Sequence, residues 1–89
     1  MSRTERIEAL LTARFAPTRL VVRDDSHLHA GHAGAAAGGE THYTITMESP
    51  AFAGLSRVAR SRLVHEALAA EFATGLHALA LRLSAPGEG

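Results

Sequence analysis

The chain contains no cysteine, no lysine and no tryptophan, and its formal net charge is zero. Without cysteine it can form no disulfide, offers no thiolate nucleophile and cannot hold an iron–sulfur cluster unaided. Nine arginines balance nine acidic residues, so neither a strongly basic nucleic-acid binder nor an acidic tail protein is the default reading. Arginine without lysine, beside abundant alanine, reads as coding bias rather than chemistry. No apolar run approaches about 18 residues, the length a membrane-spanning helix needs. The opening residues Met1 to Arg6 lack the apolar stretch of a signal peptide, and the cytoplasm is the expected location. At 89 residues and 46% hydrophobic, the chain reads as one small domain, residues 1–89, burying about 60–65% of its unfolded surface. What it has in plenty is histidine: six in all, four of them between His27 and His42.

Local patterns predict α-β-β-α-β. Ser2-Arg3-Thr4-Glu5 is a capping box, and Ile7, Leu10, Leu11 and Phe15 follow at helical spacing; a helix over about residues 4–14 ends at Pro17. Residues 19–23, short and β-branched, read as a strand. Residues 41–47 alternate, with Tyr43, Ile45 and Met47 on one face and His42, Thr44 and Thr46 on the other. Ser56 is the expected N-cap of a helix over residues 57–73, whose C′ position falls on Gly75. A third strand spans residues 76–83, and residues 84–89 are a short tail. Between the first two strands, residues 26–39 form a long, flexible loop with four glycines and three histidines, a length that in so small a domain points to function or disorder.

The first two strands are expected to pair antiparallel, and the helix to return the third parallel to the second by a right-handed crossover. The result is an α+β fold: a three-stranded mixed sheet with helices on one face. That topology brings His77, at the start of the third strand, to the end of the sheet where the loop with His27, His29 and His32 begins and ends. Strand alternation places His77 at the rim of the face carrying Leu79 and Leu81. A rigid strand-end imidazole and a loop imidazole make a two-point metal grip suited to Zn, Cu, Fe or Ni. A strand-end histidine is also commonly a polar cap, and loop histidines are often simply solvated. His42 is expected to bond locally and His65 to lie on the helix surface.

Arg57, Arg60 and Arg62 open the long helix, where cations could meet phosphates. At 100° per residue Arg57 and Arg60 share a side and Arg62 does not. No enzyme is expected. There is no glycine-rich phosphate loop and no Ser–His signature, and Asp24 and Asp25 point to opposite sides of an extended chain.

Several blocks together resemble the BolA family. They are Asp25-Ser26-His27-Leu28-His29, Gly39-Glu40-Thr41-His42-Tyr43, Phe52-Ala53-Gly54-Leu55-Ser56-Arg57, Arg60-Ser61-Arg62-Leu63-Val64 and Gly75-Leu76-His77-Ala78-Leu79-Ala80. The resemblance runs over about residues 3–85, with the blocks in order. It implies a fold similar to a type II KH domain, though without the GxxG loop that KH domains use on RNA. It also implies partnership with a monothiol glutaredoxin, either as an apo heterodimer or bridging a [2Fe-2S] cluster. In such a pair the glutaredoxin and glutathione supply thiolates, and the BolA-like chain supplies a C-terminal histidine matching His77 and a loop residue matching His29. The extra histidines, His27 and His32, and the Ala-Gly expansion of the loop leave that second ligand open among the three. The family further implies a second possibility, a DNA-binding transcriptional regulator using residues 52–64. A third reading, from the histidines alone, is a partner-free binder of Zn, Ni or Cu. Alone, the chain is expected to be a monomer or a weak homodimer.

Overall fold

The computed structural model describes residues 1–26 and 40–88. Its elements are α1 (Arg3–Phe15), β1 (Arg19–Asp24), β2 (His42–Glu48), α2 (Arg57–Ala67), α3 (Ala69–Ala73) and β3 (Ala78–Ser84), with a 3-10 turn at Pro50–Phe52 before α2. The capping box forms as read: the Ser2 hydroxyl accepts from the Glu5 N–H, and the Glu5 side chain accepts from the Ser2 N–H. Ser56 caps α2 by accepting from the Ala59 N–H at 3.1 Å.

The sheet runs β1-β2-β3. β1 lies antiparallel to β2, with Val22 opposite Ile45, and β3 lies parallel to β2, with Leu81 opposite Ile45. Tyr43, Ile45 and Met47 are therefore the centre of one face, and all three are buried. Ile7, Leu11 and Phe15 of α1, Val64 of α2, Leu68 and Phe52 close over them, and Leu79, Leu81 and Leu83 pack at the margin. His42, Thr44 and Thr46 line the opposite face and are only half-buried.

Three features differ from the expected layout. The long helix breaks at Leu68, which leaves helical geometry (φ −104°, ψ 14°) while staying fully buried; no glycine or proline marks the break. The C-terminal tail is shorter than expected. Ser84 belongs to β3 and Ala85 is buried, while Glu88 folds back onto Arg60. Finally, β3 begins at Ala78 rather than at Leu76. The N–H groups of both His77 and Ala78 donate to the Thr41 carbonyl, at 2.8 and 3.1 Å.

Candidate functional site

The loop with His27, His29 and His32, and its expected flexibility, lie outside the described residues; its neck does not. Asp24 holds both sides of that neck, accepting from the Ser26 N–H at 2.9 Å and the Glu40 N–H at 3.1 Å. Burial works against the Asp24 carboxylate, but the hydrogen bonds from Ser26 and Glu40 outweigh it and lower its pKa. The Ser26 hydroxyl, itself buried, accepts from the N–H groups of Thr41 (2.8 Å) and His42 (3.1 Å). Asp25 receives the Thr44 hydroxyl and the Arg23 guanidinium. The Asp-Asp-Ser segment is thus a clasp that delivers the loop to one end of β2.

His77 meets that end from the other side. It is exposed, and its backbone is fixed by Thr41. Its ring lies 5.2 Å from the ring of His42, centroid to centroid, tilted by 50°. His42 belongs to the open face of the sheet, so strand alternation does not govern His77. The residue precedes the first ladder position of β3, and two successive N–H groups share one carbonyl there. His42 bonds locally as expected, its Nδ1 lying 2.9 Å from the Thr41 hydroxyl.

The approach to His77 is set by a network that local sequence pattern does not show. Arg3, buried at the start of α1, donates to the Glu71 carboxylate at 2.8 Å, to the Glu71 carbonyl at 3.0 Å and to Thr74 through both its hydroxyl and its carbonyl. Arg6 adds further bonds to the same carboxylate at 3.1–3.2 Å. The Arg6 guanidinium is the chief reason the Glu71 pKa falls below its ordinary range, with Arg3 assisting against the opposing effect of burial. Arg3 also donates its backbone N–H to Glu40 at 2.7 Å, which joins the loop neck to α1. The chain leaves α3 through Gly75 (φ +128°), whose missing Cβ would sit 3.1 Å from the Arg3 guanidinium. The Leu76 N–H closes the helix end on the Glu71 carbonyl at 2.9 Å. His77 is therefore held two residues beyond a strapped helix end.

The arginine cluster lies elsewhere. Arg57 and Arg60 line a groove of about 690 Å³ between α2 and β3, together with Ser61, His65, Leu79, Leu81 and Arg82. Arg62 is exposed and does not line it. Arg60 is bound by Glu88 through two hydrogen bonds of 2.7 and 2.6 Å.

The α-β-β-α-β frame is the one the resemblance implies; the ring beside His77 is that of His42, whereas the loop histidines the resemblance pairs with it lie outside the described residues. The family model described as BolA-like protein matches residues 11–88. The chain belongs to the BolA family. It is 49% identical over 89 residues to a Sinorhizobium chain known as an uncharacterized protein in the cobS 5′ region, covering 99% of this chain and 96% of that one. It is 39% identical to the chloroplastic protein BOLA1 of Arabidopsis thaliana, over 98% of this chain and 56% of that protein. It is 40% identical to the Escherichia coli DNA-binding transcriptional regulator BolA, over 86% of this chain and 70% of that one. The solved BolA domain of SufE1 from Arabidopsis superposes with a TM-score of 0.91 at 40% identity, covering 100% of this chain and 98% of the domain. The three-stranded mixed sheet with its helices is the fold of these BolA domains. No described helix is long and apolar enough to cross a membrane.

Among the described residues no group of three or more His, Cys, Asp or Glu side chains could hold a metal ion. The donor set at this end of the sheet is an exposed imidazole with a second ring beside it. That suits a chain that completes another protein's metal site, because an exposed imidazole can join ligands supplied from outside.

Proposed function

We propose that this BolA-family chain is a non-catalytic cytoplasmic module that pairs with a monothiol glutaredoxin. It would co-ligate a [2Fe-2S] cluster through His77 and one loop histidine, His29 first and His27 or His32 as alternatives. Glutaredoxin and glutathione would bring the thiolates that a cysteine-free chain lacks. The observation that supports this most is the placement of His77: exposed, with a pinned backbone, at the loop neck. Imidazole in place of thiolate raises a cluster's potential and ties ligation to pH. The role of this chain's residues is to present that imidazole. Asp24 and Ser26 bring the loop to it, and Arg3 with Glu71 holds the turn from which it projects.

The test is reconstitution with a monothiol glutaredoxin, glutathione, ferrous iron and sulfide. A mixed complex with visible absorption and circular dichroism is expected. His77→Ala should change or abolish that spectrum while leaving the fold intact. Among His27→Ala, His29→Ala and His32→Ala, the His29 variant should be the most affected. An unchanged spectrum in His77→Ala overturns the ligand assignment.

A second reading is DNA binding, favoured by the name of the Escherichia coli relative. Of the three arginines, Arg57 and Arg62 are exposed, while Arg60 is engaged by Glu88. Even three phosphate contacts would give a slope of only about −3 for log affinity against log salt. Nanomolar, sequence-specific duplex binding at about 150 mM salt, with no affinity for glutaredoxin, would make this the leading reading.

A further inference from the structure

The groove between α2 and β3 lies away from His42 and His77, and ligand presentation does not account for its arginines. β3 is one of the two edge strands of the described sheet. Ala78 and Ser84 turn their backbone groups toward β2 and the turn after it, with the Ala78 N–H on Thr41 and the Ser84 carbonyl accepting from Ser49. By the alternation of a parallel strand, the N–H and C=O groups of Leu79, Leu81 and Leu83 point outward. Those same three leucines line the groove with half-buried side chains. No described strand covers this edge, which leaves an unpaired ladder over an aliphatic floor.

The charge of the groove has one sign. Arg57 and Arg60 come from α2 and Arg82 from β3, and no acidic residue is among the lining. Arg60 already shows what it receives. Its two terminal nitrogens grip the Glu88 carboxylate side by side, at 2.7 and 2.6 Å, the forked geometry in which guanidinium recognises carboxylate. One of these nitrogens also reaches the outward Leu83 carbonyl at 3.4 Å, so the carboxylate sits at the end of the open edge. The Arg60 Nε is buried without a partner. No Phe, Tyr or Trp lines the groove, and its one ring, the His65 imidazole, is already stacked on Phe72.

We propose that this groove receives an extended acidic peptide segment of a partner protein. The segment adds as a fourth strand beside β3, with its carboxylates held by Arg57, Arg60 and Arg82. Strand addition supplies main-chain hydrogen bonds, and the charged rim supplies selectivity. The Glu88 carboxylate occupies the Arg60 position within the chain and is displaced by the incoming acid.

The probe is a fluorescein-labelled heptapeptide of valine and glutamate, with glutamate on both faces of its strand, titrated into the full chain at about 150 mM salt. Binding with amide shifts at Leu79 and Leu81 is expected. Arg57→Glu and Arg82→Glu, both at exposed positions, should each weaken it by about fivefold. Glu88→Gln removes the charge of the internal competitor and should tighten it by about threefold. A lysine counterpart of the peptide should not bind, and an N-methylated one, which cannot complete the ladder, should bind far less. The proposal is overturned if neither the wild type nor Glu88→Gln binds the acidic peptide at millimolar concentration. It is equally overturned if the N-methylated peptide binds as well, or if a duplex DNA displaces the peptide and binds more tightly through Arg57 and Arg82.

Discussion

Two arginine–glutamate assemblies brace this small fold, and they differ in the exposure of their carboxylates and in what each holds. Around Glu71, two guanidiniums converge on a carboxylate whose side chain is only 6% exposed, and Arg3 is 9% exposed. At the other end, Arg60, whose side chain is 13% exposed, holds Glu88, whose side chain is 40% exposed. The first assembly also carries backbone bonds to α3 and stands beside the turn into His77. The second closes only the last residues of the chain onto a groove. Buried pairs are costly to break because one partner is left charged and dry. An exposed carboxylate exchanges more readily with water and with other carboxylates. The comparison separates an anchor for the histidine end of the sheet from a latch on the arginine groove.

The largest effect should come from removing the anchor. Glu71→Ala leaves the buried Arg3 without its carboxylate and should lower stability by about 3 kcal/mol, read as a urea midpoint. If the anchor positions His77, the His42 and His77 ring resonances should move in the same variant. A stable variant with unmoved rings would show that the strap is incidental to the site.

Acid should act on the same assembly. Glu71 is held below its ordinary value near 4.5, first by Arg6 and then by Arg3. A carboxyl depressed in the folded state contributes stability that is complete above its unfolded pKa and is lost as pH falls through the folded one. Unfolding midpoints should therefore stay level above about pH 5 and decline below it. In Glu71→Gln that acid-side decline should flatten. An undiminished decline would assign acid sensitivity to other carboxylates, Asp24 first.

These two assemblies also show what the sequence made legible. The helix starts were readable because Ser2, Glu5 and Ser56 act within a few residues of themselves. β2 was readable because Tyr43, Ile45 and Met47 alternate, and Gly75 because a helix end needs its φ. Arg3 and Glu71 stand 68 positions apart, and nothing local marks either as buried. The break at Leu68 and the return of Glu88 are likewise not marked by chain punctuation. At the site, the topology brought His77 to the loop end of the sheet. Its pairing with His42 could not be read, because strand parity stops where two N–H groups share the Thr41 carbonyl. The separation of Arg62 from Arg57 and Arg60 was legible from helical angle alone.

The loop clasp offers a smaller test. Ser26→Ala removes an acceptor shared by the Thr41 and His42 N–H groups in a buried setting, and should cost about 1–2 kcal/mol. It should also disturb His42 more than any groove residue. Equal shifts at Leu81 and at His42 would mean that the two ends of the sheet are coupled, which would blur the distinction between anchor and latch.

The smallest effect on stability is expected at the latch, where the contrast is sharpest. The Glu88 carboxyl is lowered to about 2, mainly by the Arg60 guanidinium and then by the Ala85 N–H. So depressed a value means that the bridge persists through any physiological acidity and opens only well below pH 4, with the sign of an acid-labile contact. The Glu88 side chain is 40% exposed but that of Arg60 only 13%, so water screens the carboxylate half of the bridge far more than the guanidinium half. Glu88→Gln keeps an amide oxygen that can accept from Arg60 and should lower the urea midpoint far less than Glu71→Ala does, while the Arg60 side-chain resonances shift. An arginine whose bound carboxylate is exposed is one that a partner's carboxylate can take over. A clear loss of stability in Glu88→Gln would instead make the C-terminal residues a second anchor, and the groove a closed part of the fold.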